Sequence, residues 1–107
     1  MTGIPKSRKR KAPIYVLRLY VADLSPRSVS AISNVKRLCR EELRGRHDLK
    51  VIDVYQQPAL AVSEQIIATP TLVKRSPEPV RILIGDLLDR DRVLLGLDVR
   101  GGQGHSA

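Results

Sequence analysis

The sequence predicts one α/β domain in which helices flank a mixed β-sheet. A length of 107 residues suits a single domain. Ile, Leu and Val together number 33, which is enough for an aliphatic core in a chain of this size. Along the chain, continuous strand-like apolar runs alternate with segments of helical period. This alternation predicts the order strand, helix, strand, helix, strand, strand, helix.

The first half of the chain predicts a buried strand followed by an amphipathic helix. Residues 14–22 are rich in β-branched and aromatic types, and Arg18 alone interrupts them with a charge. Ser25 suits a helix N-cap, and Pro26 suits the first helical position. Gly45 can close the helix. The apolar positions of helical spacing are Val29, Ile32, Val35, Leu38, Cys39 and Leu43.

The second half predicts shorter elements. A strand is expected over Leu49–Tyr55, and a short helix over residues 59–67. Two further strands, Leu72–Lys74 and Val80–Ile84, are separated by a turn with two prolines and form a hairpin. A last helix is expected from the cap Asp89 through Leu95.

This order of elements specifies the sheet. A strand–helix–strand start implies a parallel pair with a right-handed crossover, and the hairpin adds an antiparallel pair. The thioredoxin-like arrangement, βαβαββα, is the most economical fold with these features. Residues 69–71, which include Pro70, resemble the cis-proline turn of that fold.

Positive charge is concentrated at the N-terminus. The net charge is +8, and five basic residues lie within residues 6–11 before any acid occurs. We expect residues 1–12 to form a disordered basic arm, residues 13–100 the domain, and residues 101–107 a flexible tail. Such an arm can attract nucleic acid or anionic lipid. A solvated arm is the simpler interpretation, and nucleic acid is not an expected partner.

The composition also bears on the compartment. No stretch approaches 18 consecutive apolar residues, so the sequence predicts no membrane span. One cysteine excludes an internal disulfide and fits a reducing compartment. We therefore expect a cytoplasmic protein.

No residue pattern points to catalysis. A thioredoxin-type redox site needs Cys-x-x-Cys at the start of the first helix, and residues 23–28 contain no cysteine. Cys39 falls on the apolar helical stripe, which predicts a core thiol. His47 and His105 lack metal-ligand spacing, and no glycine-rich phosphate loop occurs. The sequence therefore predicts a binding protein with no enzymatic activity, no cofactor and no metal.

Several blocks in one order resemble the KaiB family of circadian clock proteins. The similarity runs without a detectable gap from about Tyr15 to Val99. The blocks that carry it are residues 17–22, 25–29, 49–54, 67–72, 79–81, 84–87 and 93–98. Two features differ from the family pattern: the basic arm, and a C-terminus that lacks the acidic tail of the cyanobacterial members.

The resemblance implies a regulatory protein that binds the ring of a KaiC-type ATPase. It also implies KaiA or a sensor histidine kinase as further partners. The family switches fold: a resting form, often a tetramer, keeps the N-terminal half and rearranges the second half, here about residues 55–97. An alternative is a stand-alone thioredoxin-like sensing or adaptor module of a signalling kinase pathway.

The resemblance also suggests which residues act. The family's ATPase contact lies on exposed parts of the first and second strands and beside the cis-proline. The matching partner-binding positions are Arg18, Lys50, Gln65 and Lys74, and Gln65 stands where the family has lysine. The positions implied in fold switching are Pro70, Gly96 and Asp98.

Overall fold

A computed structural model describes residues 13–99 of the chain. The arm expected over residues 1–12 and the tail expected over residues 101–107 lie outside these residues. Four strands and three helices follow one another in the predicted order. They are β1 (Tyr15–Val21), α1 (Pro26–Glu42), β2 (His47–Asp53), α2 (Pro58–Ser63), β3 (Thr71–Ser76), β4 (Arg81–Ile84) and α3 (Arg90–Gly96).

The sheet is mixed, as the sequence predicts. Its strand order is β2-β1-β3-β4. β1 pairs in parallel with β2, and it pairs antiparallel with β3 on its other side. The hairpin β3–β4 supplies the outer antiparallel pair. β1 and β3 are therefore the two central strands, and β2 and β4 form the edges.

The sheet carries helices on both faces, and the larger core lies beneath α1 and α3. Because side chains alternate along a strand, the odd-numbered residues of β1 all enter this core. They pack against the apolar stripe of α1 and against Val93 and Leu97. The opposite face holds a small cluster of Tyr20, Ile52 and Val73, with Ile66 from the segment after α2.

The short second helix ends earlier than the sequence predicts. It was expected to reach residue 67, but it ends at Ser63 because Gln65 adopts a left-handed conformation with φ 59°. The Gln65 N–H donates to the Val62 carbonyl at 3.0 Å, and the Ile66 N–H donates to the Ala61 carbonyl at 2.9 Å. These two bonds form a Schellman motif, which ordinarily has glycine at the left-handed position.

The last helix ends in the same way, and this fixes the role of Gly96. Asp98 occupies the left-handed position with φ 57°, and its N–H donates to the Leu95 carbonyl. Gly96 instead lies within α3, so glycine is not required there for a left-handed turn. A Cβ on Gly96 would lie 2.6 Å from Leu83 Cδ2. Close packing of α3 on β4 therefore favours glycine at this position.

We expect Gly96→Ala to destabilise the domain, because its Cβ would overlap the Leu83 side chain. In a Leu83→Ala background the same change should stabilise the domain by roughly 1 kcal/mol, since alanine is the better helix former. Urea unfolding of the single and double variants measures this coupling. Equal effects of Gly96→Ala in both backgrounds would contradict a close approach of α3 to β4.

Candidate partner-binding face

Two cations lie side by side on the sheet face that carries α2. Arg18 of β1 is in direct register with Lys50 of β2. Lys50 is exposed, and Arg18 is half-buried, with its Nη1 donating to the Leu17 carbonyl at 3.1 Å. Like charges directly opposite each other destabilise a sheet. This face therefore keeps an unfavourable pair where a neutral residue would be more stable.

The helix α2 leaves part of this face uncovered. The segment after α2 packs over Tyr20 and Ile52, at the end of the sheet beyond Arg18. Ile82 of edge strand β4 is in register with Val73, and its side chain is 56% exposed. We call the region of Arg18, Lys50 and Ile82 the open face. It combines positive charge with exposed apolar surface, which suits docking of another protein.

Gln65 follows the C-terminal end of α2 and precedes Ile66, which packs on the cluster of Tyr20, Ile52 and Val73. The preceding residue, Glu64, forms an ion pair with Arg75. Burial, and secondarily the charge of Glu64, raise the pKa of the Tyr20 hydroxyl, while Arg75 and Arg18 act in the opposite direction. Charges at the end of α2 and the charge of Arg18 therefore act on the same group, the Tyr20 hydroxyl. Arg75 and Ile82 were not predicted as parts of a binding face. The alternating apolar residues Ile82 and Ile84 do indicate a strand with one apolar side.

Lys74 does not join this group, and its predicted exposure is wrong. It is 1% exposed. It is in register with Leu17 on the opposite face, and its Nζ lies 5.8 Å from the centre of the Tyr15 ring. The physical reason is that β3 is a central strand with both faces covered, so a lysine there extends into the packed layer beneath the helices.

Two of the three predicted fold-switch residues contact β4 or its end. The Thr69–Pro70 bond is cis, in keeping with the resemblance to the cis-proline turn. Pro70 is buried, and its carbonyl accepts the Gly85 N–H at 3.0 Å, directly after β4. Gly96 packs on Leu83 of the same strand. Asp98 holds the left-handed end of α3, where its N–H donates to the Leu95 carbonyl.

The position of the thioredoxin nucleophile holds a helix cap. Ser25 accepts the Ser28 N–H at 3.2 Å and caps α1. Cys39 is 1% exposed, as its place on the apolar stripe predicted. Burial raises the pKa of its thiol to about 11, so the thiol stays protonated and unreactive at neutral pH.

Two other classes of site are absent from the described part of the chain. Within residues 13–99, no cluster of three His, Cys, Asp or Glu side chains could hold a metal ion. Over the same residues, no helix has the length and apolar character needed to cross a bilayer.

The comparison with known proteins identifies close relatives. Residues 18–99 match the family model described as the KaiB domain. A protein named "Circadian clock oscillator protein KaiB" from Microcystis aeruginosa is 54% identical over 85 residues, which are 79% of this chain and 82% of the relative. Its namesake from a Nostoc species is 54% identical over 85 residues, 79% of each chain.

Solved structures with a similar fold confirm the thioredoxin-like prediction. The N-terminal domain of SasA from Synechococcus elongatus has a TM-score of 0.66 at 32% identity, covering 87% of this chain and 91% of that domain. Mitochondrial thioredoxin 3 from Saccharomyces cerevisiae has a TM-score of 0.65 at 16% identity, covering 92% and 91% of the two chains. The similarity to thioredoxin 3 shows the fold alone.

We expect Cys39 to resist iodoacetamide in the folded protein and to react quickly in guanidinium chloride, because packing excludes the reagent and keeps the thiol protonated. Mass spectrometry measures the fraction alkylated. A Cys39→Ala, Ser33→Cys variant, with its thiol on the exposed side of the same helix, should react without denaturant. Equal rates for the two folded proteins would contradict the buried site.

The raised pKa also predicts a pH effect on stability. Above about pH 9 the unfolded chain loses the thiol proton while the folded chain retains it up to about pH 11. Wild type should therefore lose stability relative to Cys39→Ala across that window.

Proposed function

Because this chain belongs to the KaiB family, we propose that it is a non-enzymatic regulator that binds the ring of a KaiC-type ATPase in timing or stress control. The observation that carries this proposal is 54% identity over 85 residues to proteins named as clock oscillator components. The match includes the strands that build the open face as well as the core. A relationship confined to the core would support the fold alone.

The open face supports a role in binding. Opposed cations on neighbouring strands cost roughly 0.2–1 kcal/mol. Binding to an acidic surface converts that repulsion into attraction at the interface. Arg18 and Lys50 are the residues that we assign to this contact, and we keep Gln65 as a predicted third position. Lys74 is excluded from the interface in the fold described here because its side chain is buried on the other face.

We extend the proposal to fold switching in the second half, residues 55–97. The two helices of this half pack weakly, because α2 has no buried residue and α3 has only Val93; its firm element is β3, whose first four residues are buried. By contrast, α1 buries five residues. Weakly packed segments open and rearrange at the lowest cost in free energy.

Backbone strain adds to this instability. Among residues 13–99, four non-glycine residues have positive φ; Gln65 and Leu87 lie in the second half, and Asp98 follows it directly. Each left-handed residue costs roughly 1–2 kcal/mol. These costs apply to the thioredoxin-like state, which we propose to be the state that binds the ATPase. In the resting state we propose a tetramer, as the family resemblance implies.

A second candidate function follows from the likeness to SasA. At 32% identity, the chain is also similar to the N-terminal domain of that protein. A stand-alone adaptor in a sensor-kinase pathway would use the same fold. The higher identity to the KaiB relatives favours the first function. Binding to a histidine kinase without any binding to an ATPase ring would support the second.

The partner contact can be tested with a matched pair of charge reversals. We expect Lys50→Glu to weaken binding to a KaiC-type ATPase at least about ten-fold, because it places a carboxylate against an acidic surface. Arg92→Glu changes the charge equally on α3, on the opposite face, and should alter affinity less than about two-fold. Biolayer interferometry on both variants provides the measurement. Similar losses in the two variants would refute the assigned face.

Fold switching can be tested with a matched pair of glycine substitutions. Gln65→Gly removes a left-handed penalty found in the second half, so it should favour the thioredoxin-like state by about 1 kcal/mol. If that state is the minor one, its population relative to the resting state should rise about five-fold. The control is Asp23→Gly, which removes the same penalty at φ 64° in the turn before α1. We expect both states to share this turn.

The control should raise overall stability without changing the ratio of states. NMR peak populations measure the ratio of states, and urea unfolding measures the overall stability. Fold switching fails as an explanation if the two variants shift the populations equally, or if neither shifts them.

A further inference from the structure

We propose that a recess between α1 and β2 binds a small phosphate, either the free ion or the monoester of a short carbon chain. The recess has a volume of about 430 Å³, which falls within the range of small-molecule sites. It lies on the side of the sheet that α1 covers, so it is separate from the open face. The residues that line it are Lys36, Cys39 and Arg40 of α1, and His47, Asp48 and Leu49 of β2.

Two cations of α1 line the recess. Lys36 and Arg40 are four residues apart within the helix, so their side chains are neighbours on its surface. Both are exposed, and within residues 13–99 neither forms an ion pair. Arg40 favours the helix because it lies in the last turn, but a like charge one turn earlier opposes it. An anion bound between the two cations removes this repulsion.

The acids closest in sequence to these cations do not neutralise them. Glu41 and Glu42 are the only acids of α1, and both form ion pairs with Arg90 of α3. Asp48 is the one carboxylate that lines the recess. It is exposed, and over the described residues it forms no ion pair. The recess therefore keeps an excess of positive charge, which suits a small anion.

His47 supplies a polar group in a defined tautomer. Its Nδ1 lies 2.8 Å from the Leu43 carbonyl oxygen, and because a carbonyl oxygen can only accept, Nδ1 must carry the hydrogen. Nε2 is then the ring nitrogen left for a ligand. It accepts the hydrogen of a singly protonated phosphate or, once protonated itself, donates to a fully ionised one. Phosphate brings this proton near neutral pH and sulfate does not, so His47 favours phosphate.

The rest of the lining suits the carbon chain of a monoester. Cys39 is 1% exposed, and burial raises the pKa of its thiol to about 11, so it adds no negative charge. Leu49 is half-buried against the main core and offers an apolar wall. A monoester can therefore contact Lys36 and Arg40 through its phosphate and Leu49 through its carbon atoms. Asp48 repels a second anionic group, which favours ligands with a single phosphate.

The test is an NMR titration of the full chain. Binding is followed residue by residue, because the five basic residues within 6–11 also attract anions. The probes are inorganic phosphate, glycerol 3-phosphate and sulfate, each added at constant ionic strength. We expect saturable shifts at the amides of Lys36, Arg40 and His47. Inorganic phosphate should bind at least about three-fold more tightly than sulfate, because only phosphate shares a proton with the imidazole.

A matched pair of variants separates the recess from net charge. Arg40→Gln should weaken phosphate binding about ten-fold, because it removes a charge-assisted contact. Arg37→Gln removes the same charge from an exposed position of α1 that does not line the recess. This control should change the affinity less than about two-fold. Equal losses in the two variants would overturn the proposal, because net charge alone would then explain the binding.

Two further variants test the roles of the β2 side chains. His47→Asn keeps an N–H that can reach the Leu43 carbonyl but removes Nε2, so the preference for phosphate over sulfate should disappear. Asp48→Asn should strengthen phosphate binding about two-fold or more, because it removes the one negative charge of the lining. A preference that persists in His47→Asn would overturn the proposal, and so would shifts at the recess that do not saturate.

The two phosphate probes identify the form of the ligand. Tighter binding of glycerol 3-phosphate would support a monoester whose carbon chain contacts Leu49. Tighter binding of inorganic phosphate would support the free ion. The readout does not depend on the ATPase, and the substitutions lie away from Arg18 and Lys50, so this test and that of the proposed function can fail independently.

Discussion

The alternation of side chains along β1 is the constraint on which the other features of this protein depend. β1 is a central strand, paired with β2 on one side and β3 on the other. Its odd-numbered residues build the core beneath α1 and α3, and its even-numbered residues face α2. A shift of one residue would exchange the two sets. The same register that buries Leu17 and Leu19 brings Arg18 next to Lys50 on the open face.

Stability is distributed unevenly between the halves of the chain. The parallel unit β1–α1–β2 contributes most of the main core. The second half adds the central strand β3, which is well buried, but its other elements are a short helix without buried residues, a four-residue edge strand and a last helix whose one buried residue is Val93. Three of the four left-handed non-glycine residues among those described lie in it or directly after it. Weakly packed helices beside a firm first half are the physical conditions that favour the rearrangement we propose.

The positive charge of the open face is kept at some cost to stability, because Arg18 and Lys50 oppose each other across two strands. On the other side of the sheet, opposite charges are paired instead: Glu41 and Glu42 of α1 both form ion pairs with Arg90 of α3. These pairs join the two helices that cover the main core.

The sequence by itself determined the element order, the mixed sheet and several local features, because these depend on apolar period and on residues with strong local preferences. The cap at Ser25 and the burial of Cys39 belong to this group. It also located Arg18 and Lys50, since a charge in a strand-like run is visible without a structure. It could not determine on which face of β3 Lys74 lies, because two apolar residues followed by a lysine have no readable alternation, and both faces of that strand are covered.

Tertiary structure alone decided the backbone at Gln65 and Asp98 and the role of Gly96. Neither Gln65 nor Asp98 carries the glycine that normally marks a left-handed helix end, so their conformations follow from where the chain must turn into the next element. Glycine at residue 96 is explained by the approach of Leu83, a residue 13 positions earlier in the sequence. Contacts between residues distant in sequence leave no local pattern, and they become visible only when the packed elements are seen together.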